Sequence, residues 1–220
     1  MSMSISIRPI YRSFRRVYNS ITQTVDYNRR YSTIVDLEVN RIVWMDMEMT
    51  GLDVDNDQIM EVACLVTDSD LRVIAEGPDI AIQHSKDVLS KMNDWCQKQH
   101  EKTGLVNLCL NSKIKLEEAE QMVLEFLQEH VTYKMSPLAG NSVYMDRMFL
   151  IKHMPKVHDY LHYRIIDVST LKEICRRWNP ELFKQVPNKI YGHRALQDIR
   201  ESVEELLFYK KHFLKASAER

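Results

Sequence analysis

The stretch VWMDMEMTGLD, residues 43–53, runs an apolar segment directly into two carboxylates, Asp46 and Glu48, one residue apart. In a strand, period-2 alternation puts both on the same face. Two like charges side by side at a buried strand end repel and lose hydration, a cost of several kcal/mol unless a cation compensates. An all-oxygen site for a hard divalent ion needs further carboxylates from elsewhere in the fold. Asp146 in GNSVYMDRMF, Asp167 in RIIDVST and Asp198 in GHRALQDI are the candidates. Asp167 has a cheaper role, because it opens the segment D-V-S-T-L-K-E and can cap a helix there, with a T-x-x-E box at Thr170 and Glu173. Asp146 taken alone reads as a solvated residue in the first turns of a helix, from where a carboxylate can also point toward the end of a sheet. His193 and Asp198 are five apart, about 140° around an α-helix, so they do not share a helix face. Gly192 resolves this by placing His193 on an entering loop and Asp198 on the helix. With an ordinary pKa of about 6.5, a histidine on such a loop beside a metal site is a candidate general base; alone it reads as a surface residue.

These residues require a scaffold, and the hydrophobic periodicity predicts mixed α/β. Strands are expected at 41–46, 59–67 and 71–75, with a short one at 80–83 and a hairpin turn at 68–71. Helices are expected at about 86–101 and 115–130. A short strand at 136–139 then turns through Gly140-Asn141 into a helix at 143–153. A strand at 164–167 and helices at 168–178 and 194–212 complete the chain. Antiparallel strands followed by strand–helix units predict one mixed sheet with helices on its faces.

Composition narrows the partners. The 220 residues carry a formal net charge of −1, with 30 basic and 31 acidic side chains. Residues 1–34 hold six arginines and one acid, Asp26, which leaves 24 basic against 30 acidic residues in 35–220, a body of −6. Such a body is poorly suited to gripping long nucleic acid by its phosphates. The leader is rich in Ser and Arg, with Ile10, Phe14, Val17 and Ile21 at helical spacing, the pattern of a mitochondrial targeting segment; a basic arm that touches nucleic acid or membrane is the alternative. The expected organisation is a leader at 1–34 and one domain at 35–220, in the mitochondrial matrix, with a cytosolic pool left open. No apolar run approaches the ~20 residues that span a bilayer, so no stable membrane association is expected. Cys64, Cys96, Cys109 and Cys175 show no C-x-x-C spacing and read as thiols in a reducing compartment.

Asp46 and Glu48, an aspartate in a third segment at 146, and His193 with Asp198 together resemble the DEDDh exonucleases of the ribonuclease H-like fold. WMDMEMTGLD, NDW at 93–95, PLAGNSVYMDRMF, HYRIIDVSTLKE and HRALQDIRESVEEL, in this order, resemble the oligoribonuclease family from about 40 to 212. The resemblance implies a ribonuclease H-like mixed five-stranded sheet with helices on both faces. It further implies a 3′-to-5′ exoribonuclease that degrades very short RNAs, chiefly dinucleotides, to 5′-mononucleotides. Asp46, Glu48, Asp146 and Asp198 would hold two Mg2+ or Mn2+ ions, and His193 would take a proton from the attacking water. Leu52 and Trp95 would hold the two bases, although a tryptophan by default packs in a core. Ser142, Arg164 and Ser169 would cap the 5′ phosphate, and His100 would contact substrate. Tyr163 would reach the partner's site across a homodimer, where its alternative is an interior strand aromatic. Gln197 and Asn179 depart from the family pattern, the second at a position expected to be aromatic, which puts local packing in doubt.

Two rival classes remain at this level. A DEDDh exonuclease acting on longer RNA or DNA would need a basic groove. A non-catalytic nucleic-acid binder on a decayed nuclease fold would be expected to lack at least one of the five catalytic positions.

Overall fold

The structure, a computed structural model, describes residues 40–188 and 194–214; the leader at 1–34, Gly192 and His193 lie outside the described residues. Five strands form one sheet: β1 (Ile42–Met49), β2 (Ile59–Thr67), β3 (Val73–Ala81), β4 (Leu138–Gly140) and β5 (Ile165–Asp167), in the order β3-β2-β1-β4-β5. β1 runs antiparallel to β2 and parallel to β4, so the hairpin-connected half and the strand–helix half join at the strand that carries Asp46 and Glu48. All nine residues of β2 are buried, as a strand covered on both faces must be.

The helices, numbered within the described residues, are α1 (Lys86–Leu89), α2 (Asp94–Lys102), α3 (Leu105–Asn111), α4 (Leu116–His130), α5 (Tyr144–His153), α6 (Pro155–Tyr160), α7 (Val168–Trp178), α8 (Pro180–Phe183) and α9 (Ala195–His212). Strand alternation sorts them onto two faces. Val43, Met45 and Met47 of β1 pack with Ala119, Val123 and Leu127 of α4 and with Phe149 and Leu150 of α5. Trp44, Ala63 and Leu65 face the other way, onto Val168 and Cys175 of α7 and Ala195, Ile199, Val203 and Leu206 of α9. Among the described residues, no helix is long and apolar enough to cross a membrane. All four cysteines are buried and free.

Several local expectations need correction. The two short runs at 71–75 and 80–83 are one edge strand, β3, whose pairing skips at Gly77-Pro78: Leu65 opposes Glu76 while Ala63 opposes Asp79. An edge strand with a bulge tolerates proline. A Cβ at Gly77 would stand 2.4 Å from Cys64 Sγ and 2.7 Å from Phe126 Cε1, so only glycine lets the strand pass so close. The expected helix at 86–101 is two, because Ser85 and Asn93 each accept from a backbone N–H, of Val88 and Cys96, and start separate helices. The short helices α3, α6 and α8 are additions that the periodicity does not predict. Two of them begin with proline at their first position, where its missing N–H costs nothing.

Asp167 is the cap that the sequence suggests: its Oδ1 accepts from Ser169 N at 2.9 Å. The Thr170/Glu173 box does not form, since the helix starts earlier and Glu173 pairs with Arg176 and Arg177. Asn179, expected to weaken packing, instead caps α8 by accepting from Leu182 N at 3.1 Å.

Candidate active site

Asp46 and Glu48 continue the face of Trp44, so they point toward α9 once the apolar contacts of that face run out. Asp198 lies one turn into α9, and carboxylate oxygens of Asp46, Glu48 and Asp198 come within 4.8 Å of one another. Asp146 arrives from α5 on the opposite face. It is buried, and its Oδ1 accepts from Met47 N at 3.0 Å, the backbone amide between the two β1 carboxylates.

The crowding is legible in the titration of the groups. Burial, then the charges of Asp198, Glu61 and Asp146, push Glu48 up to about 8, against a weaker opposing pull from Arg194. Burial pushes Asp146 up to about 7 despite two backbone N–H groups that favour its charge. Repelling, partly desolvated carboxylates make an all-oxygen donor set that fits a hard divalent cation.

Glu61 belongs to this environment and is missed by sequence reasoning. It opposes Glu48 across the β1–β2 pair, where like charges facing each other are unfavourable. Arg194 resolves the conflict: its guanidinium lies 2.8 Å from Glu61 Oε1, and Ala195 N donates to Glu61 Oε2 at 3.0 Å. Glu61 thereby pins the first turn of α9, one turn before Asp198. A lone acid inside the apolar run IMEVACLVT is the available signal. Arg194→Ala strands a carboxylate that is 1% exposed beside an already acidic cluster. The expected loss is about 3 kcal/mol, read as a lower urea midpoint without a change in slope.

The sequence-selected substrate residues divide into groups. Leu52 and Trp95 are 68% and 62% exposed, so the tryptophan is a surface residue and not a core one. Trp95 lies in the first turn of α2, and the next residue, Cys96, feels the charges of Asp57 and Glu48, which puts the start of that helix beside the carboxylate end of β1. His100, on the same helix, is 1% exposed. Its Nε2 lies 3.0 Å from Met49 O and its Nδ1 3.9 Å from Glu48 Oε2. His100 thus packs against the end of β1, next to Glu48.

Ser142 and Ser169 are together, with Oγ atoms 3.2 Å apart, and Ser142 N donates to both Ser169 Oγ and Asp167 Oδ1. They border a cavity of about 440 Å³ that Tyr144, Thr170 and Arg177 also line. Arg164 lies outside it, its guanidinium 5.3 Å from the centre of the Tyr163 ring. Tyr163 is 73% exposed and not an interior strand aromatic.

Residues 43–206 match the family described as Exonuclease. Over 188 residues the chain is 50% identical to a probable oligoribonuclease of Drosophila melanogaster, covering 86% of this chain and 89% of that protein. It is 51% identical over 175 residues to a mitochondrial oligoribonuclease of Homo sapiens, covering 80% and 74%, and 48% identical over 178 residues to an oligoribonuclease of Chromobacterium violaceum, covering 81% and 98%. Among solved structures, an exonuclease I from Methylocaldum szegediense superposes with a TM-score of 0.61 at 16% identity. That match covers 80% of this chain but only 41% of the other, so it is a likeness of fold.

Proposed function

Because the chain belongs to the exonuclease family, and within it to the oligoribonucleases, we propose that it hydrolyses very short RNAs, dinucleotides above all, from the 3′ end to 5′-mononucleotides. The observation that carries this reading is the convergence of Asp46, Glu48 and Asp198 from two elements that are far apart in the chain. Asp146 completes the set from behind the strand. Asp46, Glu48, Asp146 and Asp198 would hold two Mg2+ or Mn2+ ions, which would lower the pKa of a water and stabilise charge at the leaving oxygen. His193 takes the proton as the water's oxygen bonds to phosphorus and the bond from phosphorus to the 3′ oxygen breaks. Leu52 and Trp95 present exposed apolar surface for two bases, a sequence-tolerant grip. Ser142, Ser169 and Arg164 hold the 5′ phosphate and close the site to a longer chain, which suits a body of −6.

The protein acts as a homodimer in which Tyr163 reaches the partner's site. Tyr144, Met148 and Ile151 support this reading: at helical spacing on α5 they are 52%, 45% and 53% exposed, an apolar stripe on the same molecule as an exposed Tyr163. The Arg-rich leader directs the chain to the mitochondrial matrix, a reading supported by relatives that carry the mitochondrial name.

The test is a competition. A labelled dinucleotide and an RNA of roughly 20 nucleotides, long enough for multiple phosphate contacts, share one Mg2+-dependent time course. Rapid loss of the dinucleotide with the long RNA nearly intact is the expected result. Shortening of both at comparable rates would replace this reading with a general exonuclease, and binding without cleavage would leave a nucleic-acid binder.

A further inference from the structure

Ser142 and Ser169 belong to a longer hydrogen-bonded chain. Ser169 Oγ donates to Asn141 Oδ1 at 3.1 Å, and Asn141 Nδ2 donates to Ser202 Oγ at 2.8 Å and Glu205 Oε2 at 3.2 Å. Ser202 and Glu205 lie on α9, 3% and 2% exposed. Ser202 gives its own proton to the carbonyl of Asp198 at 2.8 Å. Glu205 is held by the Tyr209 hydroxyl at 3.0 Å and by Lys172 Nζ at 3.6 Å.

Counting protons along this chain fixes its direction. A carboxylate only accepts, so Glu205 requires the NH2 end of the Asn141 amide to face it. Ser202 agrees, because its proton is committed to Asp198 and it has only lone pairs left for Asn141. The amide oxygen of Asn141 must then face Ser169, and the single hydroxyl proton of Ser169 goes there. Toward Ser142, Ser169 Oγ can offer only lone pairs: it accepts from Ser142 N at 2.9 Å and from the Ser142 hydroxyl. Of the two serines, Ser142 alone keeps a proton that can turn toward an arriving anion. Its backbone is held at φ 53°, a left-handed conformation that a non-glycine residue keeps only where its surroundings impose it.

We infer that Glu205, too buried to touch substrate, sets recognition of the 5′ phosphate by fixing, through Asn141, which serine hydroxyl donates to it. This rests on the reading of Ser142 and Ser169 as the phosphate cap. Glu205 is a positioning residue: it orients Asn141, Asn141 orients Ser169, and Ser142 is left as the donor. The same chain ends on the carbonyl of Asp198, so the cap and the carboxylate cluster share α9 as their common support.

The experiment measures kcat/KM of the full chain for one dinucleotide with and without its 5′ phosphate, in wild type, Glu205→Gln and Tyr209→Phe. A glutamine at 205 can present its own NH2 to Asn141, and the Ser202 hydroxyl can turn its proton from the Asp198 carbonyl to the Asn141 oxygen, so the amide is able to reverse and the acceptor is taken from Ser169. The preference for the phosphorylated substrate is expected to fall about tenfold in Glu205→Gln, as for a lost charge-assisted hydrogen bond. Turnover of the 5′-hydroxyl substrate should stay within about twofold, since no group proposed to act at the scissile phosphate is changed. Tyr209→Phe, which keeps the packing and removes one hydrogen bond to Glu205, should show a smaller fall in the same direction. An equal loss on both substrates would mean that Glu205 merely supports the fold, and would overturn the inference. A wild-type preference that survives unchanged in both variants would overturn it as well, leaving the cap reading in place. A wild type with no preference would overturn the cap reading and this inference together.

Discussion

Asp198→Ala is expected to lower kcat by at least about a thousandfold, the scale of removing a preorganised electrostatic contact to the transition state. The same change should leave the metal-free protein as stable as wild type or more so. Asp198 is half-buried on α9, between the buried Ala195 and Ile199 that anchor the helix to Trp44 and Leu65. Its backbone N donates to Arg194 O at 3.0 Å, a bond that alanine keeps. The carboxylate itself stands against Asp46 and Glu48 and is the largest charge, after burial, pushing Glu48 upward. Taking it away relieves repulsion and leaves a good helix former in its place. Loss of activity with a gain in metal-free thermal stability is the signature of a group kept for function at a cost to the fold. Circular dichroism, a melting curve and a single-turnover assay on the same preparation check it. Turnover near the wild-type level would remove Asp198 from the mechanism. A collapsed melting temperature would make it a structural residue.

Where the fold is legible in the sequence, one physical pattern is strong and local. The D-x-E spacing in a strand places Asp46 and Glu48 on one face, and the strand runs through both. Asp167 reads as a cap and is one. The helix at 168–178 matches its expected bounds to the residue because its start is capped and its apolar stripe is sharp. Misses come where two tendencies compete. Gly77-Pro78 reads as a break, but pairing with β2 carries the edge strand through it as a bulge. Glu61 and Glu205 are invisible for a different reason. Their partners, Arg194 at 133 residues' separation and Asn141 at 64, are supplied by tertiary structure, and no local spacing announces them.

Metal-free protein should lose stability as the pH rises, and divalent cations should restore it most at the alkaline end. Glu48 titrates ordinarily at 4.5 and in the fold at about 8. Between those values the folded state keeps a proton that the unfolded chain has already released. Stability therefore falls as pH climbs through this window and levels off above about 8. Asp146 acts in the same sense between its ordinary 3.8 and about 7. With every tenfold difference in proton affinity between folded and unfolded chain equivalent to about 1.4 kcal/mol, the combined penalty reaches several kcal/mol. A bound cation must displace these protons, so its apparent affinity rises with pH until both groups are ionised. Melting temperatures of chelator-treated protein should fall from about pH 5 to about pH 8, and the gain from millimolar Mg2+ or Mn2+ should be small at the first and largest at the second. Na+ at matched ionic strength is the control for plain screening, which relieves like-charge repulsion without needing a coordination site. If Na+ reproduces the effect, the carboxylates form a strained acidic patch without a metal. If the divalent gain grows toward acid pH, Glu48 and Asp146 are not the groups that the cation displaces protons from. The expected pattern has a direct catalytic counterpart: activity rises over the same window in which metal-free stability is lost, because both follow ionisation of the carboxylates at the end of β1.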